Sequence, residues 1–499
     1  MNEIVIDSGL AQSRVAILEN NDLVEYYIET KNSKRIVGNI YKGRVKNVLP
    51  GMQAAFIDIG LEKNAFLYVK DAMPPELLND KNVSYKDVSI RDVVKNGQEI
   101  VVQVIKEPID SKGARVTTHL TFPGRYLVLM PYVDYVGISR KIESEEERGR
   151  LKEIIENIRP DKIGIIIRTE SEGKNEEDLR EDLKYLLRLW EKIEREKKFT
   201  FAPKLIYKDL DLIHRTVRDM FTDDIDELKI NDKVYYEKIL DFLELISPHL
   251  KNRVKYFDPG INIFSYLGIE KKIKNALSSK VWLKSGGYII IDETEAMTII
   301  DVNTGKYVGM NDLEETIFKV NMEAAKEIAK QLRLRDIGGI IIIDFIDMKD
   351  SSREKQIIDI LNKELSKDRV RTNILGMTQL GLLEMTRKKV RNRISSILER
   401  SCPYCNGTGR VFAQDTIINY IEHELKRISL HTNSEGVIIE VNPEIENVLN
   451  VERKSYLKEL EKILNLKIVI LGNKEIHVND FKVKFMGKLS RIKEILNST

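Results

Sequence analysis

Cysteine is nearly missing from this chain: 499 residues contain two, Cys402 and Cys405. That excludes a disulfide framework and makes a reducing cytoplasm the expected compartment. Long hydrophobic runs are missing too. The oiliest stretches, such as 338–343, fall far short of the ~18 residues that cross a bilayer. No basic segment followed by an apolar one opens the chain, so no secretory signal is expected. Neither sign of charge dominates: 81 Lys and Arg stand against 79 Asp and Glu, a formal +2. Such a balance neither demands nor excludes a nucleic-acid partner, so any such argument rests on local patches. Histidine is scarce, with six in all. Repeats and low-complexity segments are absent.

What is present is an ordinary globular composition, 42% hydrophobic and 32% charged. At ~100–200 residues per domain, the length predicts roughly three to five compact units. Residues 1–35 alternate polar and apolar, which predicts a short strand pair. Residues 36–119 hold five short strand candidates, at 39–45, 54–59, 65–70, 99–105 and 114–120, with an insertion at 71–97. That pattern suits a small closed β-barrel of the oligonucleotide-binding type. From 120 to 213 a strand at 162–169 precedes a helix whose Leu179, Leu183, Leu186, Leu187 and Trp190 form a core stripe. Residues 214–278 carry helix and strand without an interpretable motif. From 279 to 400 apolar strands alternate with amphipathic helices at 311–334 and 352–365, the pattern of an α/β layer structure. A cysteine segment, 401–414, precedes a last unit, 415–499, with strands at 437–441 and 467–470.

Two oily strands in the α/β region end in aspartate. One reads Met-Thr-Ile-Ile-Asp301-Val-Asn303-Thr-Gly and the other Ile-Ile-Ile-Ile-Asp344-Phe-Ile-Asp-Met. A carboxylate at the edge of a buried sheet is costly unless compensated, and a hard divalent cation compensates it well. Each Asp could instead cap a turn after its strand. The repetition, with Asn303 two residues beyond Asp301, favours a metal site and metal-dependent phosphodiester hydrolysis. No histidine lies near these motifs in sequence, so water activated by a metal fits better than a Ser/His or Cys/His mechanism.

In the barrel, alternation turns Ala55, Ile57, Ile59, Ala65, Leu67 and Val69 inward, leaving Phe56, Phe66, Tyr68 and Lys70 outward, near Lys106 and Lys112. Outward aromatics flanked by lysines suit single-stranded nucleic acid, with bases stacking and ammonium groups meeting phosphates. Cover by another domain would explain the same rings. The densest basic run, 387–393, reads as a solvated helix face or as a holder of a polyanion's backbone. The segment Cys402-Pro-Tyr-Cys405-Asn-Gly-Thr-Gly looks like half of a zinc knuckle. Four thiolates from two chains would complete a tetrahedral Zn2+ site and make a dimer. The rival is a redox dithiol, against which Gly407 and Gly409 argue because such motifs open a helix.

Together, the motifs from Asp301, Asp344 and Cys402 resemble those of the ribonuclease E/G family in order and spacing, over nearly the whole chain. The resemblance implies an α/β multidomain fold. A ribonuclease H-like domain (1–35 and 214–278) is divided by an S1 (OB-fold) β-barrel (36–119) and a 5′-sensor (120–213). A deoxyribonuclease I-like catalytic domain (279–400), a zinc link (401–414) and a small α/β domain (415–499) follow. The boundaries read from the residues fall at the same places, but nothing in the sequence joins the two halves of the split domain. It further implies a Mg2+-dependent endoribonuclease that cuts single-stranded RNA, is stimulated by a 5′-monophosphate, and acts in ribosomal-RNA processing and messenger turnover. Asp301 and Asp344 match the Mg2+ ligands, and Asn303 orients the scissile phosphate or the attacking water. Arg168, Thr169, Gly124, Val128 and Arg371 match the 5′-phosphate pocket, Phe56, Phe66 and Lys112 the RNA-holding barrel positions, and Cys402 and Cys405 the shared zinc thiolates. A homodimer is implied, with pairing into a homotetramer left open. No long C-terminal arm is visible, so the architecture is nearest the shorter branch of the family. The alternative is an RNA-binding scaffold of the same fold without catalysis.

Overall fold

The computed structural model describes residues 1–30, 35–74, 88–108, 112–305 and 313–497. They divide into two units, 1–395 and 396–499. No helix among the described residues is long and apolar enough to cross a membrane.

The first unit opens with an antiparallel meander, β1 (Asn2–Ser8), β2 (Gln12–Glu19) and β3 (Asp22–Thr30). The barrel follows with β4 (Ile40–Leu49), β5 (Ala54–Asp58), β6 (Ala65–Tyr68), β7 (Glu99–Lys106) and β8 (Arg115–Thr117). Strand β4 pairs with both β5 and β7, which closes the ring β4-β5-β6-β8-β7. The closed five-stranded barrel matches the expected oligonucleotide-binding type. Its core takes Val45, Ala55, Ile57, Ala65, Leu67, Val102, Val104 and Val116, the small and β-branched residues of alternating positions. The strand expected over 65–70 is shorter. Val69–Ala72 forms a helical turn, so Lys70 is not a strand residue, and Tyr68 packs against the barrel core instead of standing free. Most of the insertion expected at 71–97, residues 75–87, lies outside the described residues.

Next come β9 (Phe122–Pro123), β10 (Leu127–Pro131), β11 (Val136–Ile138) and β12 (Ile163–Ile167), in the order β11-β12-β10-β9. The helix Glu176–Phe199, opened by an Asn175 capping box, buries Leu179, Leu183 and Leu186 against this sheet, as the stripe required. Strand β13 (Lys204–Tyr207) adds to β4. Strands β14 (Glu227–Ile230) and β15 (Val254–Tyr256) then return to the meander, giving the order β15-β14-β1-β2-β3 with β14 parallel to β1. Residues far apart in the chain therefore share one core, in which Ile4, Ile6, Val15 and Ile17 pack with Ile213, Val217, Ile239 and Leu243.

The largest α/β layer holds β16 (Lys280–Trp282), β17 (Tyr288–Glu293), β18 (Met297–Asn303), β19 (Gly339–Asp344), β20 (Thr372–Met377) and β21 (Leu382–Arg387). The order is β16-β17-β18-β19-β21-β20. Strands β18 and β19 run parallel because the helix Leu313–Leu334 carries the chain back between them. That helix was expected from 311; residues 311 and 312 lie outside the described residues. Together with Ser351–Leu365 it covers one face of the sheet, over Ile289, Ile291, Ile300, Val302, Ile341, Ile343, Leu383 and Met385. The alternate residues Ile299, Asp301, Asn303, Ile340 and Asp344 face the other way.

The second unit has β22 (Gly436–Val441), β23 (Lys467–Gly472) and β24 (Phe481–Gly487), ordered β23-β22-β24. Helices Gln414–His431 and Lys454–Leu464 pack on it around Ile417, Ile421, Leu425, Val437, Ile439 and Ile470.

Candidate active site

Asp301 and Asp344 are register partners on the parallel strands β18 and β19. Neighbouring strands stand ~4.8 Å apart, so both carboxylates leave the same sheet face side by side. Asn303, two residues on and on that same face, donates from Nδ2 to Asp301 Oδ2 at 2.7 Å. The amide fixes Asp301 and has a second hydrogen to offer. Asp344 has a raised pKa, from partial desolvation first, then from the carboxylates of Asp301 and Asp347. Like charges at this spacing resist joint ionisation, and a divalent cation between them would remove the penalty. Among the described residues no group of three His, Cys, Asp or Glu side chains is arranged to hold a metal. Two carboxylates with water filling the remaining positions fit Mg2+, which keeps several waters.

Around Arg168 the carbonyl of Gly124 accepts from Nη1 at 2.5 Å, and Asp219 Oδ1 accepts from the same nitrogen at 2.7 Å. The N–H of Gly124 donates to the carbonyl of Leu127 at 2.8 Å. A Cβ at Gly124 would stand 2.5 Å from an oxygen of Asp182, so only glycine fits there. Asp182, buried under the loop, accepts from the backbone N–H groups of Arg125, Tyr126 and Leu127. Thr169 Oγ1 lies 2.9 Å from Ser139 Oγ, and Lys141 in the same loop donates to the Asp368 carbonyl at 2.6 Å. This brings the segment carrying the exposed Arg371 against the loop beside Thr169. Val128 lies on β10, paired with Pro123 and Ile166.

On the barrel, Phe56 and Phe66 are register partners with ring centroids 6.0 Å apart, edge to face, and both are partly exposed. The row continues through Arg115 to Lys106, whose side chain is exposed, as is that of Lys112. Arg115, unflagged by alternation because it stands on a short strand, is held by Asp71 at 2.7 Å. The basic run 387–393 is not a helix face, and only part of it is exposed. Arg387 is 2% exposed and bonds Asp368 and Asp336 at 2.7 and 2.8 Å. Arg391 pairs with Asp336 and Arg393 with Glu293. Arg387 alone of the run is buried, while Lys388, Lys389 and Arg391 stay exposed, a division that density of basic residues alone could not reveal.

In the second unit, Cys402 and Cys405 are free thiols in a series of turns, not at a helix start. Gly409 N–H donates to Cys405 Sγ at 3.2 Å, and this bond leads the causes that lower the Cys405 pKa. A thiolate-stabilising turn is what a metal-binding knuckle needs. The first helix of the unit begins only at Gln414.

Residues 121–390 match the family model described as "Ribonuclease E/G family", and 401–486 match "RNase E/G, Thioredoxin-like domain". Ribonuclease G of Haemophilus influenzae is 43% identical over 97% of this chain and 99% of its own length. The chain belongs to the ribonuclease E/G family. Ribonuclease G of Escherichia coli K12 is 42% identical, over 95% of this chain and 98% of its own. Ribonuclease E of Haemophilus influenzae is 38% identical over 94% of this chain but only 50% of itself. Within this ribonuclease E/G family member, sequence reading passed over Asp347, Asp182 and Asp219. Asp347 sits in the same motif as Asp344 and could have been found there. Asp182 hides in a leucine stripe, and Asp219 gains meaning only when the fold sets it beside Arg168.

Proposed function

We propose that this chain is an endoribonuclease that cuts single-stranded RNA, with Asp301 and Asp344 holding a catalytic Mg2+. The observation that carries the reading is their parallel register, one strand apart, in a ribonuclease E/G family chain. The partial desolvation and the neighbouring carboxylates that raise the Asp344 pKa support a cation there. When bound, Mg2+ supplies positive charge where a phosphodiester builds negative charge during hydrolysis. Asn303 keeps one Asp301 oxygen fixed and offers its remaining N–H to the scissile phosphate or the attacking water. The products would carry 5′-phosphate and 3′-hydroxyl ends.

The barrel row Phe56, Phe66 and Lys106, with Lys112, would hold the strand by stacking and phosphate contacts. Arg168 and Thr169, with Gly124, Val128 and Arg371 alongside, would receive a 5′-monophosphate, for which a guanidinium fork and a hydroxyl are suited. Cys402 and Cys405 would contribute half of a zinc site completed by a second chain, making a homodimer. A cytoplasmic setting and roles in ribosomal-RNA and messenger processing belong to the same proposal. The test is single-turnover cleavage of an oligoribonucleotide by Asp344→Asn in excess Mg2+, expected to be slower by at least about a hundredfold. Near-normal cleavage would defeat the assignment.

A further inference from the structure

We propose that Lys280, Trp282 and Tyr288 form a nucleotide subsite that takes one base and one phosphate of the RNA strand beside the acidic pair. The inference rests on Asp301 and Asp344 being the cleavage centre. Strand β16 is the edge of the catalytic sheet, and its register places these side chains on the acidic face. Trp282 pairs with Tyr288, which pairs with Asn303. Lys280 pairs with Ile290, which pairs with Asp301, which pairs with Asp344. Two strand spacings, about 10 Å, therefore separate Lys280 from Asp301 along one row.

The three side chains are organised before any ligand arrives. The Trp282 and Tyr288 rings meet at 5.4 Å with 65° between their planes. The Lys280 ammonium stands 3.6 Å from the Tyr288 centroid and 4.2 Å from that of Trp282. A cation held over two π-faces is pre-positioned, so little side-chain entropy is lost when a phosphate meets it. Trp282 is 60% exposed, an unusual position for the largest side chain on a sheet edge. A stacking platform beside an ammonium is the arrangement single-stranded nucleic acid uses. An exposed Trp also suits a protein interface, but interface cores are depleted in lysine, and this patch shares its face with the acidic pair.

The chain has two tryptophans, and the other, Trp190, packs between Phe122 and Tyr132 in a different sheet's core. In full-length Trp190→Phe carrying Asp344→Asn, emission therefore reports Trp282 alone. A single-stranded oligoribonucleotide titrated in Mg2+ is expected to quench that emission saturably. In the otherwise wild-type enzyme, Trp282→Ala is expected to raise KM roughly tenfold at little-changed kcat, and Trp282→Phe to recover most of it. Lys280→Gln is expected to flatten the slope of log affinity against log salt by about 0.7. Binding without quenching, or an unchanged KM in Trp282→Ala, overturns the subsite, and so does a Trp282→Ala protein that alters self-association but not RNA binding. Saturable quenching together with normal cleavage by the Asp344→Asn protein leaves the subsite standing and removes only the role given to the acidic pair.

Discussion

Asp301 and Asp344 lie opposite one another across a single parallel β-ladder, although 42 residues, a 22-residue helix among them, separate them in the chain. The pairing predicts a specific electrostatic behaviour. Desolvation and the carboxylates of Asp301 and Asp347 raise the Asp344 pKa, so the folded state holds that proton more tightly than the unfolded chain does. Stability must then fall as pH rises from the ordinary carboxylate value through the raised one. Asp344→Asn removes the ionisation, so thermal melts should show the variant more stable than wild type at about pH 7.5 but not at about pH 4. Added Mg2+ should raise the wild-type melting temperature and leave that of the variant nearly unmoved.

Arg168 donates to Asp219 and to the Gly124 carbonyl through Nη1 and has Nε 3.8 Å from a Glu170 carboxylate oxygen, so Nη2 is the nitrogen that would meet a phosphate. Matched oligoribonucleotides with 5′-phosphate and 5′-hydroxyl ends should be cut at distinct rates by wild type and at equal rates by Arg168→Ala. Arg168→Lys should not restore the difference, because an ammonium cannot reproduce the planar fork. A full rescue by lysine would reduce the contact to a point charge.

Phe56 and Phe66 touch edge to face, so their contributions to RNA binding should couple. Each alanine variant should weaken single-stranded RNA binding by about 1–3 kcal/mol, and the double variant by less than the sum. Strict additivity in a filter-binding or anisotropy cycle would place the two rings on separate nucleotides.

The Gly409 N–H lowers the Cys405 pKa, a shift that favours the thiolate a metal would take. Metal analysis and light scattering should find about one zinc per two chains, and Cys405→Ser should lose both zinc and the dimer. A metal-free protein with a readily formed Cys402–Cys405 disulfide would favour the redox reading.

The Arg387 guanidinium joins Asp336 and Asp368 inside the catalytic layer. Arg387→Met leaves buried carboxylate without its partner and should cost about 3–5 kcal/mol in denaturant unfolding. Loss of RNA binding with unchanged stability would instead return this arginine to the phosphate-holding role that its basic neighbours suggested.

The sequence alone determined what depends on short-range periodicity and on residue chemistry. Alternation at Ala55, Ile57, Ala65 and Leu67 specified the barrel's inner face, and 3.6-residue spacing specified the buried stripe from Leu179 to Leu186. Asp301, Asp344 and the cysteine pair stood out as candidates by residue chemistry, since carboxylates and thiols are hard and soft metal ligands wherever they lie. Only the tertiary structure decided which distant segments meet. It paired β1 with β14 across the barrel and the β9–β12 sheet, set Asp301 beside Asp344, turned Arg387 inward, and lined Trp282 up with Asn303. Long-range pairing follows from burying apolar faces that many partners could satisfy, so local sequence carries no label for the partner that wins.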